Sequence, residues 1–229
     1  MTAKHLLPTG LALLFLTACA STPPAPQVNE DGLLLTERDG IDSLYVREDL
    51  DLSGYSAVLL QPPSVEFRKF WLRDANAGRT TLQTRVRPED MEKARTELSQ
   101  LFVERFTRTL ELAGYEVTAT SGDGVLELMP AIIELDLFAV NLSYRQSTFV
   151  QTFNGPQTGQ MTLIMELVDA PSEATLARAT DMQVVRRIGV LEVGDSVIDP
   201  SSNTHTLDRW ARKLVDALRD DGFRGSSKA

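Results

Sequence analysis

Cysteine is all but missing from this chain: there is one, Cys19. Histidine occurs twice, at His5 and His205, and tryptophan twice. A single thiol cannot close an intramolecular disulfide, so any core must hold without covalent staples. Zinc centres want several Cys or His ligands, and these are lacking. No Gly-x-Ser-x-Gly elbow, Gly-rich phosphate cradle or Asp-x-Asp-x-Asp-Gly calcium loop is present. No bound cofactor is therefore expected. Long apolar runs are absent too. The longest, Leu6–Leu16, is about 11 residues and is interrupted by Pro8 and Gly10, whereas a spanning helix needs about 20. Positive charge is in short supply: 23 Lys and Arg stand against 32 Asp and Glu, a formal net charge of −9. Nucleic acid phosphates repel such a surface, so no nucleic acid partner is expected.

What is there begins with an exit signal. Met1-Thr2-Ala3-Lys4 is followed by the short apolar run and then by Leu16-Thr17-Ala18-Cys19. A charged start, a greasy middle and a small-residue exit make a secretory signal peptide. The sole cysteine sits at that exit, and Leu-Thr-Ala-Cys looks like a lipobox, cut just before a cysteine that then carries lipid. On this reading residues 1–18 are removed and Cys19 holds the mature chain on a membrane. One acyl chain binds only marginally, so stable anchoring needs more than one; a lipoprotein of this pattern carries three. Ala20 follows where an aspartate would resemble an inner-membrane retention signal, which points to the outer membrane and a periplasm-facing protein. The competing reading is ordinary secretion, with cleavage after Ala20 at Ala18-Cys19-Ala20.

Residues 19–40 read as a tether and arm. Ala20–Gln27 carries Pro23, Pro24 and Pro26, an extended spacer of about 20–25 Å at about 3.1 Å per residue. From there to about Leu52 the chain is mixed and acidic, with one short apolar patch at Leu33-Leu34-Leu35, and reads as irregular. Residues 41–222 form a single domain and 223–229 a loose polar tail.

Within the domain, Tyr55–Gln61 is a compact apolar run stopped by Pro62-Pro63, the pattern of a buried strand. Arg87-Pro88-Glu89-Asp90 starts a helix, with proline in the first turn and two acids at the positive end of its dipole. Met91, Ala94, Leu98, Leu101, Phe102, Phe106, Leu110 and Ala113 then recur at steps of three and four, and Gly114 closes the helix. Tyr115–Ala119 and Val125–Leu137 are strands, the second carrying Pro130, which suggests a bulge or an edge. In Gly159–Val168 the residues Met161, Leu163, Met165 and Leu167 share one face; Asp169–Glu173 turns the chain, and Thr175–Arg187 returns beside it. Ile188–Ser202 reads as a loop, and Asn203 or Thr204 as the cap of a last helix burying Leu207, Trp210, Ala211, Leu214 and Leu218. A strand, a crossover helix and a further strand favour parallel pairing, while the later strands pair antiparallel. The fold class is α+β: a two-layer sandwich of a mixed, mostly antiparallel sheet with the long helix and the C-terminal helix packed on it.

Tyr55-Ser56-Ala57-Val58-Leu59-Leu60-Gln61-Pro62, the helix ending Gly114-Tyr115-Glu116-Val117, and a closing helix with Trp210-Ala211-Arg212-Lys213-Leu214 together carry a family likeness. Over about Ile41 to Leu218 the chain resembles the bacterial lipoproteins of domain of unknown function 3313. The resemblance implies a periplasm-facing lipoprotein and supplies no catalytic residues.

One region departs from the acidic background. Between Ser64 and Arg87 lie Arg68, Lys69, Arg73, Arg79, Arg85 and Arg87 against only Glu66 and Asp74, with Phe67, Phe70 and Trp71 among the first cations. Arginine beside aromatic rings suits anionic surfaces and protein hot spots, so Arg68, Lys69, Trp71, Arg73 and Arg79 are the candidate binding residues. The bland alternative is that the rings pack in the core while their cationic neighbours are solvated. The one histidine beyond the leader, His205, stands near Asp208, Ser201 and Ser202, the ingredients of a triad, but also at a helix start where an exposed polar residue is expected. Asp195, Asp199 and Asn203 are the nearest approach to a cation loop and are ordinary turn residues. The favoured function is a lipid-anchored, non-catalytic accessory protein that docks a protein or anionic partner of the envelope. The alternative is an envelope hydrolase using carboxylates or His205.

Overall fold

The structure is a computed structural model and describes residues 27–82, 85–137, 158–186 and 200–219. The lipobox and Cys19 lie outside these residues, as do the tail and residues 188–199 of the expected loop 188–202, whose last three residues instead open a helix. The architecture is α+β, with eight strands in one mixed sheet and three helices. In chain order these are β1 (Leu34–Thr36), β2 (Ser43–Val46), β3 (Ala57–Leu60), β4 (Ser64–Phe67), α1 (Trp71–Ala75) and α2 (Pro88–Leu112). They continue with β5 (Glu116–Thr118), β6 (Val125–Asp136), β7 (Thr158–Asp169), β8 (Ala174–Arg186) and α3 (Pro200–Arg219).

The sheet runs β1-β2-β8-β7-β6-β3-β5, with β4 also on β6. Pairing is antiparallel from β1 through β6 and parallel for β3 with β5 and β6 and for β4 with β6. The crossover through α2 thus returns β5 parallel to β3, as the order of elements predicts. Pro130 sits mid-sheet on β6 rather than at an edge. The Leu128 carbonyl accepts from Gln61 N–H, so the period of two turns the ring nitrogen of Pro130 to that same side. There β3 has ended at Leu60 and β4 has not begun until Ser64, so the missing N–H costs no ladder bond.

α2 is built as its sequence signals. Arg87 precedes it in an extended conformation, and Asp90, fully buried, accepts the Arg87 N–H at 2.7 Å. At the far end Gly114 takes φ 96, with Gly114 N–H on the Glu111 carbonyl at 3.0 Å and Tyr115 N–H on the Leu110 carbonyl at 3.1 Å. This is the two-bond cap that a left-handed glycine permits. Ala94, Leu98, Phe102, Phe106 and Leu110 are buried against the sheet, and the rings of Phe102 and Phe106 stack at 3.9 Å. From the sheet come Val58, Leu128, Ile132, Met161, Leu163, Met165 and Leu167, and from α3 Leu207, Trp210, Ala211, Leu214 and Leu218.

Two expectations are corrected. Residues 27–46 are not an irregular arm: β1 and β2 form a hairpin that extends the sheet along β8, with Ser43 opposite Thr180 and Val46 opposite Ala177. Leu33, Leu44 and Val46 are buried by it, so the folded unit begins ahead of residue 41. α3 starts at Pro200, which puts Asn203 and Thr204 inside the helix and not at its cap.

Candidate functional site

The basic and aromatic stretch becomes β4, a tight turn and α1, and its rings part company. Phe67, at the end of β4, packs inward against Trp71 with ring centroids 4.5 Å apart. Trp71 is 2% exposed and donates its indole N–H to the Leu137 carbonyl at 3.3 Å. It is a core residue and leaves the set of surface-binding candidates. Phe70, between them, turns the other way and is 56% exposed.

Phe70 is also strained. The turn closes with Trp71 N–H on the Arg68 carbonyl at 3.1 Å, and Phe70 takes φ 65, ψ 9. This left-handed region belongs to glycine and asparagine, and a bulky residue held there costs about 1–3 kcal/mol. Two cations lean on the exposed ring: Lys69 Nζ lies 5.0 Å and Arg73 Cζ 4.7 Å from its centroid. The ring's negative face attracts both.

The turn is held by ion pairs beneath it. Arg68 reaches Asp74 through Nη1 and Asp136 through Nε, each at 2.7 Å, joining α1 to the end of β6. Hydrogen bonds from Arg68 and then Arg73 keep the Asp74 carboxyl below the usual carboxylate range. Arg68 is therefore a structural clamp. At the turn itself, Arg73, with 71% of its side chain exposed, and Lys69 face solvent, as Arg85 and Arg87 do further along the stretch. Arg79 lies lower, donating Nε to the Ala75 carbonyl at 2.8 Å, and burial pulls its guanidinium down from its ordinary pKa. Asn76 completes the support, clasping Val86 through its side-chain amide, with Nδ2 to the carbonyl at 2.9 Å and the N–H to Oδ1 at 2.8 Å.

The other candidates fall apart in space. His205 is exposed on α3, and Asp208 is held by Arg105 of α2 at 2.7 and 2.8 Å rather than by the imidazole. Asn203 is buried, while Asp195 and Asp199 lie outside the described residues. Among the described residues no three of His, Cys, Asp and Glu converge as metal ligands, and no helix is long and apolar enough to cross a membrane.

One feature was not anticipated from the sequence. Between α3, α2 and the sheet lies an apolar cavity of about 50 Å³, lined by Leu44, Phe106, Leu163, Met165 and Leu214 and bordered by Asp181, Trp210 and Lys213. A dry cavity of about 150 Å³ holds benzene, so this one is too small for a comparable guest. Asp181 gives only a weak signal in the sequence: a lone acid in an apolar strand.

Against known proteins, the family described as Protein of unknown function (DUF3313) matches residues 33–214. No curated protein matches the chain. Among solved structures, a PelC dodecamer from Paraburkholderia phytofirmans is similar at 11% identity and TM-score 0.39, covering 77% of this chain and 97% of that one. A candidate lipoprotein from Caulobacter crescentus is similar at 15% identity and TM-score 0.35, covering 73% and 90%. A candidate homologue of a neuraminyllactose-binding hemagglutinin from Helicobacter pylori is similar at 12% identity and TM-score 0.37, covering 78% and 94%.

Proposed function

From a chain that belongs to the family Protein of unknown function (DUF3313), we propose a lipid-anchored accessory protein of the outer membrane. It faces the periplasm and docks an envelope protein through the Phe70 turn, without turnover. The observation that carries this reading is the pairing of strain with exposure at Phe70. All that the fold gains from this ring in solvent, at a backbone position that favours glycine, is its contact with Lys69 and Arg73, worth about 0.5–1 kcal/mol each at an exposed site. Residues kept in sparse backbone regions cluster at binding and switch sites. A partner that supplies an apolar socket for the ring and carboxylates for Lys69 and Arg73 recovers that cost. Aromatic and arginine anchors of this kind dominate protein hot spots. The anchor is supported by the sole cysteine standing at the lipobox exit.

The test is crosslinking and copurification of the lipidated full chain from cells. Phe70→Gly relieves the backbone and removes the ring. It should unfold no earlier than the parent, yet lose the captured protein, and Lys69→Glu with Arg73→Glu should lose it as well. If both variants capture the same protein as the parent, the turn is not the docking site. The anchor is tested separately by Cys19→Ser, which should lose acyl labelling and leave the membrane fraction.

A further inference from the structure

The charges of this chain are sorted by position. Ser64–Arg87 holds six cations against two acids, while Glu30–Asp51 holds eight acids against Arg38 and Arg47. In the first stretch Arg85 and Arg87, on either side of buried Val86, are exposed along with Lys69, Phe70 and Arg73. Of its two acids, Asp74 is held by Arg68 and Arg73. The second stretch forms the β1–β2 edge of the sheet, where Glu30, Glu37, Asp39, Glu48 and Asp49 are exposed. Among them Leu35, 38% exposed, stands opposite half-buried Tyr45 in the β1–β2 pairing. Each stretch thus sets an apolar centre among charges, and the two sets of charges have opposite sign. The two regions cannot meet within one copy. Leu35, Tyr45, Arg178, Glu166 and Met129 form one row across the sheet from β1 to β6. Phe67 lies one strand beyond, opposite Leu135, which is six residues along β6 from Met129. At about 4.8 Å per strand and about 3.3 Å per residue, the acidic and basic corners are about 30 Å apart on one hydrogen-bonded sheet.

We propose that the partner of the Phe70 turn is a second copy of this chain, docked by its acidic corner. This rests on the reading of the Phe70 turn as a docking site and supplies its partner. The ring of one copy seats on Leu35 and Tyr45 of the next, and Glu30, Glu37 and Asp39 there face Lys69, Arg73 and the arginines behind them. Opposite potentials steer the encounter, suppress like-charged approaches and fix the register. Both potentials belong to one sequence, so any copy that presents one corner meets copies that present the other. The contact is heterologous, with the basic corner of one copy on the acidic corner of its neighbour. A pair leaves one corner of each kind unfilled, so assembly continues past two copies until it closes on itself.

The test uses the full chain purified in density-matched detergent and reverses charge only at exposed positions. Lys69→Glu with Arg73→Glu, and separately Glu37→Lys with Asp39→Lys, each bring the two corners to the same sign. The parent should sediment as an assembly that added salt dissociates, and each double reversal as a single copy with unchanged circular dichroism. All four substitutions in one chain exchange the two signs and should restore assembly, which no loss of folding would do. Phe70→Gly should weaken assembly by about tenfold or more, as loss of a central aromatic anchor does. A parent that sediments as a single copy, or a four-substitution chain that does not reassemble, would overturn the second-copy proposal. If Phe70→Gly nonetheless loses a different protein captured from cells, the turn is a docking site whose partner is not this chain. If Phe70→Gly changes neither assembly nor capture, the docking reading itself fails.

Discussion

One oxygen of Asp181 collects the Trp210 indole N–H at 2.7 Å, the Lys213 ammonium at 2.8 Å and the Gln183 amide at 2.9 Å. The residue is 6% exposed, and Lys213 also donates to the Gly40 carbonyl, so this carboxylate ties β8 to α3 and to the turn before β2. A buried charge pair adds little over an apolar substitute, but removing one member strands the other. Asp181→Ala is therefore expected to cost about 3–5 kcal/mol. Asp181→Ala with Lys213→Met should cost less than the single change, because the stranded cation is gone and the donors left without their acceptor, the buried Trp210 N–H and the half-buried Gln183 amide, are neutral. Urea unfolding of the two variants checks both the size and the order. At Phe70 the logic inverts: the side chain stabilises nothing that its exposure reveals, so its loss should register in binding and not in folding.

Among the elements, α2 and α3 lie side by side, running the same way: Arg105 meets Asp208 near their middles, and further along both helices Arg219 donates to the Ala113 carbonyl. The Arg105–Asp208 pair is bidentate and about three-quarters shielded, at 23% and 21% side-chain exposure. Such charge-assisted bonds contribute about 1.5–3 kcal/mol. Arg105→Ala should lower stability within that range, with Asp208→Ala giving little further loss in the double variant, as a double-mutant cycle of thermal unfolding would record. α2 was legible in the sequence because its signals are local: proline and acids at one end, a three-four period, glycine at the other; α3 was legible by its period but not at its start, and the one-turn α1 was not foreseen. β6, β7 and β8 were legible through alternation and a short turn. The β1–β2 hairpin was not, since its three-leucine patch is short and its partner strand lies more than a hundred residues away at Ala177–Thr180. Propensity carries no trace of such a pairing. At the candidate site the cluster was visible, but not which ring faces out. Phe70 and Trp71 are adjacent and equally greasy, and a left-handed turn is ordinarily announced by Gly or Asn, not by Lys-Phe.

On the scale of the molecule, the two ends of the sheet have different characters. One end holds the Phe70 turn, the N-termini of α2 and α3, and the end of β8. The other holds the β7–β8 turn and the start of β3, and it is cross-tied. Tyr55 donates to Asp169 at 2.8 Å, Ser121 to the Ala170 carbonyl at 2.9 Å, and Ser172 closes on the same Asp169. Burial first, and then the bond to Asp169, push the Tyr55 phenol up from 10.0 to about 12. The sign follows from which state keeps the proton. In the unfolded chain the phenol ionises near 10, while in the fold it stays protonated to about 12. Its stabilisation is thus complete below pH 10 and is lost as pH rises through 12. Tyr55→Phe removes the group that titrates. It should cost about 1 kcal/mol at neutral pH for the lost bond, and it should flatten the decline in stability between pH 10 and 12. It should leave partner capture untouched, because the Phe70 turn is at the opposite end of the sheet. Phe70→Gly should do the reverse, losing no neutral stability and keeping the alkaline decline while losing the partner. Alkaline unfolding curves and crosslinking yields measured on both variants test this division. If Tyr55→Phe abolishes capture at temperatures where the fold is intact, the two ends are coupled and the division is wrong.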